Sequence, residues 1–475
     1  MSVMLICTLG NRDVLLSGEP IKPPRDRGKD ILKNFEEYKP LLTCPIIQPV
    51  LNYVFHDLGL QTIDRLVLVA TDQDERTTML EFRQNDTIEF AHILQTLLPR
   101  VIRKQHVGKK VSDIRIVKIP ENPNYLDDMY MFFGQSLRQD KSFQMENLKV
   151  CYVEQTGGIP SANMALLFQC INKFKEKCCP IYVSEKTKAA TPLKIVEHII
   201  GGYRKLLLLH LISNYDYAAL CDQLDEKKEN EKFLFLLSQY AQHRLYFDTA
   251  TAKSIATKGI SEFLSPERNI FEDFLMDLEK IQKRDYESLL VELYHNMVVK
   301  YRRSEFVDFL GRLYRFQEAL LRCVVERDLK ISTEINAKTK LHDDFVKGVE
   351  ARPDLKEFLS CERTPSGGPV NYMSIGVPVL MACLKYLIVK LNFSYRLVYD
   401  LLKQFDILTN LRNKSIIGHG FDGVSEKILN DNYDGSVLEG VKKILEEVEI
   451  KIPESPFDKI NSILIQEINQ VGSLF

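Results

Sequence analysis

The sequence lacks both the glycine and proline content of disordered proteins and the high positive charge of many nucleic-acid-binding proteins. Glycine (22) and proline (19) are no more frequent than in ordinary globular proteins, which excludes collagen-like and long disordered tracts. Basic and acidic residues nearly cancel, at a net charge of −2, so any contact with nucleic acid must come from local patches. With 45% hydrophobic residues over 475 positions, the chain can bury two or three domain cores.

Cysteine pairs and targeting segments are also lacking. The ten cysteines form no Cys-x-x-Cys pair and lie mostly in apolar segments, so we expect reduced thiols, no zinc ribbon and a cytoplasmic protein. The apolar residues 1–9 have no basic flank or cleavage site, which predicts a strand rather than an export signal. The most membrane-like segment, residues 372–389, contains Gly376, Pro378 and Lys385, which favours a buried helix over a membrane span.

The hydrophobic pattern changes near residue 192. Before it, β-rich runs alternate with helical periodicity at the spacing of right-handed crossovers, which predicts a doubly wound, mostly parallel sheet. After it, the periodicity predicts helices only. We therefore expect an α/β plus all-α protein, with a Rossmann-like domain over residues 1–192, a helical connector over 193–300 and a helical domain over 301–475. The predicted strands are 3–9, 66–70, 113–119, 148–154 and 181–184, and the predicted helices are 45–58, 87–105, 127–138 and 160–175.

Small polar loops follow the predicted strands, where a parallel sheet binds its ligands. Glycines at 157 and 158 allow close backbone approach, although a simple turn would also explain them. Neither Gly-x-Gly-x-x-Gly nor a Walker A sequence occurs, so a dehydrogenase or a P-loop ATPase lacks its fingerprint. The predicted ligand-binding residues are Thr8, Gly10, Asn11, Thr71, Asp72, Gln73, Thr156, Gly157, Gly158, Ile159, Ser161 and Asn163.

Two ionisable residues continue an apolar helical face near the C-terminus. This face consists of Leu397, Leu401, Phe405, Leu408, Arg412, Ile416 and His419. Seven residues are two helical turns, so Arg412 and His419 share one side if the helix persists, and Gly418 and Gly420 indicate that it ends there. A histidine that is merely hydrogen-bonded at a helix end would fit the spacing as well.

The stretch from Arg412 to Phe421 resembles the Arg-Asn-to-His signature of HEPN ribonucleases. The loops Leu9-Gly10-Asn11 and Thr156-Gly157-Gly158 resemble those of a CRISPR-associated Rossmann-fold (CARF) sensor. Together they are similar to the type III CRISPR accessory ribonucleases over nearly the whole chain. The resemblance implies a homodimer in which cyclic oligoadenylate binds the CARF domains and activates cleavage of single-stranded RNA by the HEPN domains.

The same resemblance assigns catalysis to Arg412, Asn413 and His419. Metal-independent cleavage needs the 2′-hydroxyl to attack the adjacent phosphate while a group that titrates near neutrality, here His419, moves protons. Arg412 offers a permanent charge and a fork of donors to the phosphorane, and Asn413 can orient either partner. The products would carry 2′,3′-cyclic phosphate and 5′-hydroxyl ends. These groups address the RNA backbone and select no base.

The resemblance also bears on what binds the chain. It implies no metal and no cofactor, no membrane, and no stable association with the CRISPR effector complex. As activator, cyclic tetra-adenylate is favoured over cyclic hexa-adenylate. One Arg and one His per chain make a small site, so we expect two chains to contribute to it.

Two other classes of function stay open. One is a non-catalytic nucleotide sensor whose helical half is an interaction or DNA-binding module, although no basic recognition helix is evident. The other is a small-molecule α/β enzyme with catalysis near Asp72, although the sequence shows no recognisable nucleophile–base pair for it. Glu318 and Arg322 are candidate supports for the ribonuclease site. Beside them runs an apolar stripe that fits a core better than a dimer interface: Phe309, Leu313, Phe316, Leu320 and Cys323.

Overall fold

The apolar runs before residue 192 form strands, and most of the periodic segments between them form helices. The structure is a computed structural model that describes residues 2–283, 285–334, 342–364 and 367–470. The strands are β1 (Ser2–Thr8), β2 (Leu15–Leu16), β3 (Glu19–Pro20), β4 (Leu42–Thr43), β5 (Thr62–Ile63), β6 (Arg65–Thr71), β7 (Lys110–Val111), β8 (Ile114–Ile119), β9 (Leu148–Glu154), β10 (Cys178–Val183) and β11 (Ala190–Pro192). The helices among them are α1 (Pro24–Lys33), α2 (Phe35–Tyr38), α3 (Ile47–Asn52), α4 (Leu80–Arg83), α5 (Ile88–Gln105), α6 (Leu126–Gln139) and α7 (Pro160–Phe174).

Six strands form one sheet in the order β11-β10-β9-β1-β6-β8, in which only β11 runs antiparallel to its neighbour. The central strand β1 alternates its side chains between two cores. Leu5 and Cys7 pack with α3 and α5, whereas Met4 and Ile6 pack with α6 and α7. Burial on both faces explains the unbroken apolar run of β1. The predicted doubly wound, mostly parallel sheet is confirmed.

The strand order reverses at β1. From β1 the chain proceeds outward through β6 to β8, and then returns to the other side of β1 to form β9 and β10. Such a switch point opens a crevice between neighbouring loops at the carboxyl ends of the strands. The loops after β1 and β9 meet there, because a Cβ atom on Gly10 would lie 2.8 Å from the backbone nitrogen of Gly158.

Residues 10–46 contain structure that the sequence pattern did not predict. A small antiparallel sheet has the order β3-β2-β4, and α1 lies between β3 and β4 in the chain. The predicted helix 45–58 is α3, continued by a π-helical turn over Tyr53–Asp57. Strands of two residues are too short for hydrophobic alternation to reveal.

After β11, the described residues contain only helices apart from an isolated bridge between Arg363 and Pro369. The helices are α8 (Ile195–Ser213), α9 (Tyr217–Gln223), α10 (Glu229–Leu245), α11 (Thr249–Glu262), α12 (Glu267–Gln282), α13 (Tyr286–Arg302), α14 (Phe306–Val324), α15 (Asp343–Glu350), α16 (Pro353–Cys361), α17 (Val377–Leu391), α18 (Arg396–Lys414), α19 (Glu426–Asn432), α20 (Val437–Glu447) and α21 (Pro456–Gln470). Among the described residues no helix is both long and apolar enough to cross a bilayer. The ten cysteines are free thiols.

The described residues form two compact units, one up to Arg204 and the other from Lys205 onward. In the second unit, Leu290 and Met297 of α13 share one hydrophobic core with α14, α17, α18 and α20. The whole predicted apolar stripe of α14 lies in this core, as expected for a structural role. The predicted boundaries at residues 192 and 300 stay predictions.

Candidate functional site

A cavity of about 240 Å³ lies at the switch point of the sheet. Several predicted ligand-binding residues form its wall, namely Gly10, Asn11, Thr71, Thr156, Gly157, Gly158 and Ile159. The wall also includes Leu9 of the predicted Leu9-Gly10-Asn11 loop, and residues that the sequence did not single out, namely Arg12, Asp13, Ile46, Asn85 and Thr87. A neighbouring cavity of about 240 Å³ shares Arg12, Ile46 and Thr156 with it. The sheet edge therefore presents one polar surface that spans the loops after three strands.

The glycine pair after β9 packs directly against the loop after β1. A Cβ atom on Gly157 would lie 2.4 Å from the carbonyl oxygen of Thr8. Gly158 has a φ of +74°, and a Cβ atom there would lie 2.9 Å from the Cβ of Thr8. Backbone approach and a left-handed conformation both require glycine at these positions. The pair therefore does more than turn the chain.

Three of the predicted ligand-binding side chains hold these loops in place. The Thr8 hydroxyl donates to the Gly157 carbonyl (3.1 Å) and also bonds to the side-chain oxygen of Asn163. The Asn163 amide donates to the carbonyls of Gln155 (3.2 Å) and Gly157. The Ser161 hydroxyl donates to the Pro123 carbonyl at 2.7 Å. These side chains therefore hold in place the loops that form the cavity wall.

Asp72 and Gln73, after β6, are likewise engaged. Gln73 donates from its backbone and its side chain to Asp86, at 3.0 and 2.9 Å. Asp72 accepts from Arg25 and, at 2.9 Å, from Lys118. Burial acts to raise the pKa of Asp72, but the hydrogen bonds from Lys118 and Arg25 outweigh it, so the pKa is lowered. A carboxylate held by two cations is a poor base, which weakens the hypothesis of a small-molecule enzyme centred on Asp72.

Two buried carboxyl groups lie at the cavity, Asp13 in its wall and Glu154 at the end of β9. Glu154 accepts hydrogen bonds from the backbone N–H groups of Thr156 and, at 3.0 Å, Gly157, while its burial raises its pKa. One oxygen of Asp13 accepts from the Gly10 N–H at 2.6 Å, and the other, Oδ1, has no partner among the described residues. Burial, and then the charge of Glu154, raise the pKa of Asp13. The sequence pattern did not reveal this pair, because acidic residues in a polar loop or at the end of a strand are usually solvated.

The helix that carries Arg412, α18, ends before it reaches His419. Helix α18 ends at Lys414, so His419 does not lie on a continuation of it. The predicted face is also partly wrong, because Leu397 and Ile416 are 43% and 72% exposed. The buried stripe of α18 consists of Val398, Leu402, Phe405 and Leu408. The next position on this stripe is Arg412, which is half-buried.

A tight loop returns His419 to the end of the helix. The His419 backbone N–H donates to the Asn413 carbonyl at 2.8 Å, and the Asp422 N–H donates to the Lys414 carbonyl at 2.9 Å. Cβ atoms on Gly418 and Gly420 would lie 2.4 Å from the Asn413 carbonyl oxygen and 2.1 Å from that of Lys414. The loop can close only with glycine at both positions. The His419 side chain is exposed.

The Arg412 guanidinium is held from two sides. Its Nη1 donates to the Asn413 side-chain oxygen at 3.0 Å, and its Cζ lies 4.9 Å from the ring centroid of Tyr314 on α14. Its Nε is buried and has no partner among the described residues. The guanidinium therefore keeps one donor, Nε, without a partner, and Arg412 directly precedes Asn413, whose carbonyl accepts from the His419 backbone. The sequence pattern predicted no role for Tyr314, because a half-buried position beside the apolar stripe of α14 is typical of many residues.

Arg322 and Glu318 form a local structural pair. Arg322 donates to Glu318 at 2.9 Å and to the Thr333 carbonyl at 2.6 Å. Glu318 also accepts from Arg315 at 2.9 Å. These bonds hold the segment that follows α14 in place, so Glu318 and Arg322 both have a structural role.

Fold and site together define a two-part protein, a Rossmann-like α/β unit with a ligand crevice and a helical unit with an Arg-Asn-His cluster. Residues 278–465 match the family model described as the Cas_Csm6 HEPN domain, and this range contains the whole cluster. The chain is also similar in structure to Enterococcus italicus Csm6 bound to cyclic hexa-2′-fluoro-hexa-dAMP. That match has a TM-score of 0.61 and 14% sequence identity, and covers 98% of this chain and 100% of the other. No curated protein sequence matches the chain.

The resemblance to the CARF–HEPN proteins of type III CRISPR systems is thereby confirmed. The family match identifies residues 278–465 as a HEPN domain of the Csm6 type. The structural match extends the Csm6 fold over nearly the whole chain.

Proposed function

We propose that this protein is an accessory endoribonuclease of type III CRISPR defence. In this proposal a cyclic oligoadenylate binds at the sheet edge of the first unit and activates cleavage of single-stranded RNA at Arg412, Asn413 and His419. The observation that carries it is the glycine loop that returns His419 to Asn413, beside an Arg412 held by Tyr314. This cluster lies inside the range that matches the Csm6 HEPN domain.

The cluster fits proton transfer without a metal ion. In the proposed reaction the 2′-hydroxyl attacks the adjacent phosphorus and the 5′-oxygen of the next nucleotide leaves. The proton of the 2′-hydroxyl passes to the leaving 5′-oxygen by way of His419, since its exposed imidazole can reach substrate. Arg412 supplies a permanent positive charge and hydrogen-bond donors for the charge that develops on the phosphorane. The products carry a 2′,3′-cyclic phosphate and a 5′-hydroxyl.

The size of the sensor cavity supports a homodimer. About 240 Å³ in one chain lies below the range of about 300–1,000 Å³ typical of a small-molecule pocket, and a ring of four or six nucleotides is larger still. Two copies related by a two-fold axis would bring two such cavities to one ring. The E. italicus Csm6 structure contains a cyclic hexa-nucleotide analogue. For this chain, the preference for cyclic tetra-adenylate stays a prediction.

The proposal places the dimer in the cytoplasm, without stable attachment to the effector complex. It is tested by cleavage of single-stranded RNA in the presence of cyclic oligoadenylates of different ring size, with and without EDTA. We expect strong activation by one ring size, no effect of EDTA, and loss of cleavage in Arg412→Ala and His419→Ala. His210→Ala, which changes an exposed histidine of α8, is the matched control.

Two outcomes would contradict this proposal. Full activity in His419→Ala would remove the catalytic assignment. Ligand binding by the first unit with no RNA cleavage under any condition would favour the non-catalytic sensor.

A further inference from the structure

A cavity of about 590 Å³ in the helical unit extends to the proposed catalytic cluster. One wall is a single face of α18, formed by Tyr399, Lys403, Asp406, Thr409 and Asn413. These positions recur every three or four residues, so they lie on the same side of the helix. The wall therefore ends at Asn413, next to Arg412.

The opposite walls come from α14 and α17. Tyr314 and Gln317 of α14 line the cavity. Tyr314 is also the ring on which the Arg412 guanidinium lies, so the cavity and the guanidinium meet at one side chain. A nucleotide whose phosphate is bound by Arg412 could place its base here. The volume lies within the range of about 300–1,000 Å³ that holds small ligands.

Most polar side chains of the cavity already have partners. Lys385 of α17 pairs with Glu362 at 2.7 Å, and the ammonium of Lys403 lies 5.2 Å from the ring centroid of Tyr399. The Thr409 hydroxyl donates to the side-chain oxygen of Gln317 at 3.3 Å. These contacts give the cavity a fixed polar frame.

Asp406 differs from them. Its carboxylate has neither a hydrogen bond nor an ion pair within the part of the chain that the structure describes. Burial raises its pKa, which the charge of Lys403 only partly offsets. A half-buried carboxylate without a donor from the protein is open to solvent, so the donors of a ligand that enters the cavity can replace water there.

We propose that this cavity selects the base of the nucleotide next to the scissile phosphate, and that Asp406 reads guanine. The inference rests on the proposed ribonuclease function. A carboxylate only accepts hydrogen bonds, and the Watson–Crick edge of guanine presents two adjacent donors, N1–H and the 2-amino group. Adenine and cytosine place one amino group beside an acceptor, and uracil places one N–H between two carbonyls. Tyr314 and Tyr399 offer aromatic surfaces to the base.

Cleavage-site sequencing tests this assignment. The activated enzyme digests an RNA pool of random sequence, and the bases flanking each cut are counted for the natural protein, Asp406→Asn and Asp400→Asn. Asp400 lies on the same helix but pairs with Arg396 at 3.2 Å and does not line the cavity, so Asp400→Asn is the matched control.

We expect guanine to be enriched roughly tenfold at one position beside the cut, as a bidentate base contact allows. The control should keep this enrichment. Asp406→Asn should lose it and shift towards adenine and cytosine, because an amide offers one donor and one acceptor and both bases place an amino group beside an acceptor. A natural protein without base preference, or an unchanged preference in Asp406→Asn, would overturn the assignment.

A binding measurement separates failure of this inference from failure of the proposed function. Ligand-observed NMR compares guanosine and uridine monophosphates on the full-length protein. If RNA is not cleaved at all, the proposed function fails, and selective binding of guanosine monophosphate that Asp406→Asn abolishes still supports the cavity as a guanine site. If RNA is cleaved without preference and neither nucleotide binds selectively, the ribonuclease stands and the base site is refuted.

Discussion

Replacing Gly420 by alanine tests whether the loop after α18 sets the position of His419. The added Cβ atom would lie 2.1 Å from the carbonyl oxygen of Lys414 and 2.7 Å from its carbonyl carbon, whereas ordinary contact begins at 3.4 Å. Both atoms belong to the backbone of a helix end, so no side chain can rotate away. The loop must shift by about 1 Å to relieve the overlap.

The shift acts on chemistry more than on stability. A displacement of about 1 Å at a reacting group costs about 10²-fold in rate, or about 2.7 kcal/mol of transition-state stabilisation. The loop lies outside the hydrophobic core, so we expect the free energy of unfolding to fall by only about 1 kcal/mol. Binding of the activator should not change, because the sensor cavity belongs to the other unit.

The assay compares activated RNA cleavage, thermal unfolding and activator binding in Gly420→Ala and Gly423→Ala. Gly423 has no heavy atom within 4 Å of an added Cβ, so this variant should behave like the natural protein. Near-normal cleavage by Gly420→Ala would refute the role of the loop. Equal loss in both variants would show that any substitution in this segment is harmful, which would also refute it.

Two other predictions follow from side chains around the two sites. Tyr314→Leu removes the ring beneath Arg412 and should slow activated cleavage about tenfold, the equivalent of a cation–π contact of about 1–2 kcal/mol. Tyr314→Phe keeps the ring and should keep most of the rate. Equal cleavage rates in the two variants would contradict this prediction. The other prediction concerns Asp13, whose pKa is raised in the folded protein. The folded form therefore keeps a proton that the unfolded chain loses near pH 3.8. As a result, the stability of the first unit should fall as pH rises from about 4 through the raised pKa. Asp13→Asn keeps an acceptor for the Gly10 N–H and should flatten this fall, which thermal unfolding at several pH values measures; an identical pH slope in both proteins would be the contrary result.

The long elements of the fold were predictable because each buries a continuous face. The strand predicted over 148–154 is β9 at the same bounds, and helix α5 lies within the predicted 87–105. The short strands β2, β3 and β4 were missed because two residues carry no period. Local pattern also does not reveal that β1 lies between β6 and β9, although this order brings the predicted loops together.

In the loops proposed to bind the ligand, the sequence pattern predicted the close backbone approach better than the roles of the side chains. Small residues at 10, 157 and 158 indicate close backbone approach, and the structure has it. Whether a polar side chain faces the cavity or supports the loop depends on its partner. Thr8 and Asn163 find partners in each other, and Asp72 finds Arg25, which lies 47 positions away in the chain. Such long-range partners leave no local signal.

The proposed catalytic cluster, Arg412, Asn413 and His419, shows why residue spacing alone was a weak guide. A period of seven would place Arg412 and His419 on one helical face, but α18 ends at Lys414. What returns His419 to Asn413 is a backbone hydrogen bond, with glycines on both sides of the histidine where the loop meets the helix end. The informative pattern is therefore Gly418-His419-Gly420 after a helix that ends in Arg412-Asn413-Lys414. A closed loop rather than a helical repeat therefore sets where the histidine lies relative to the end of α18.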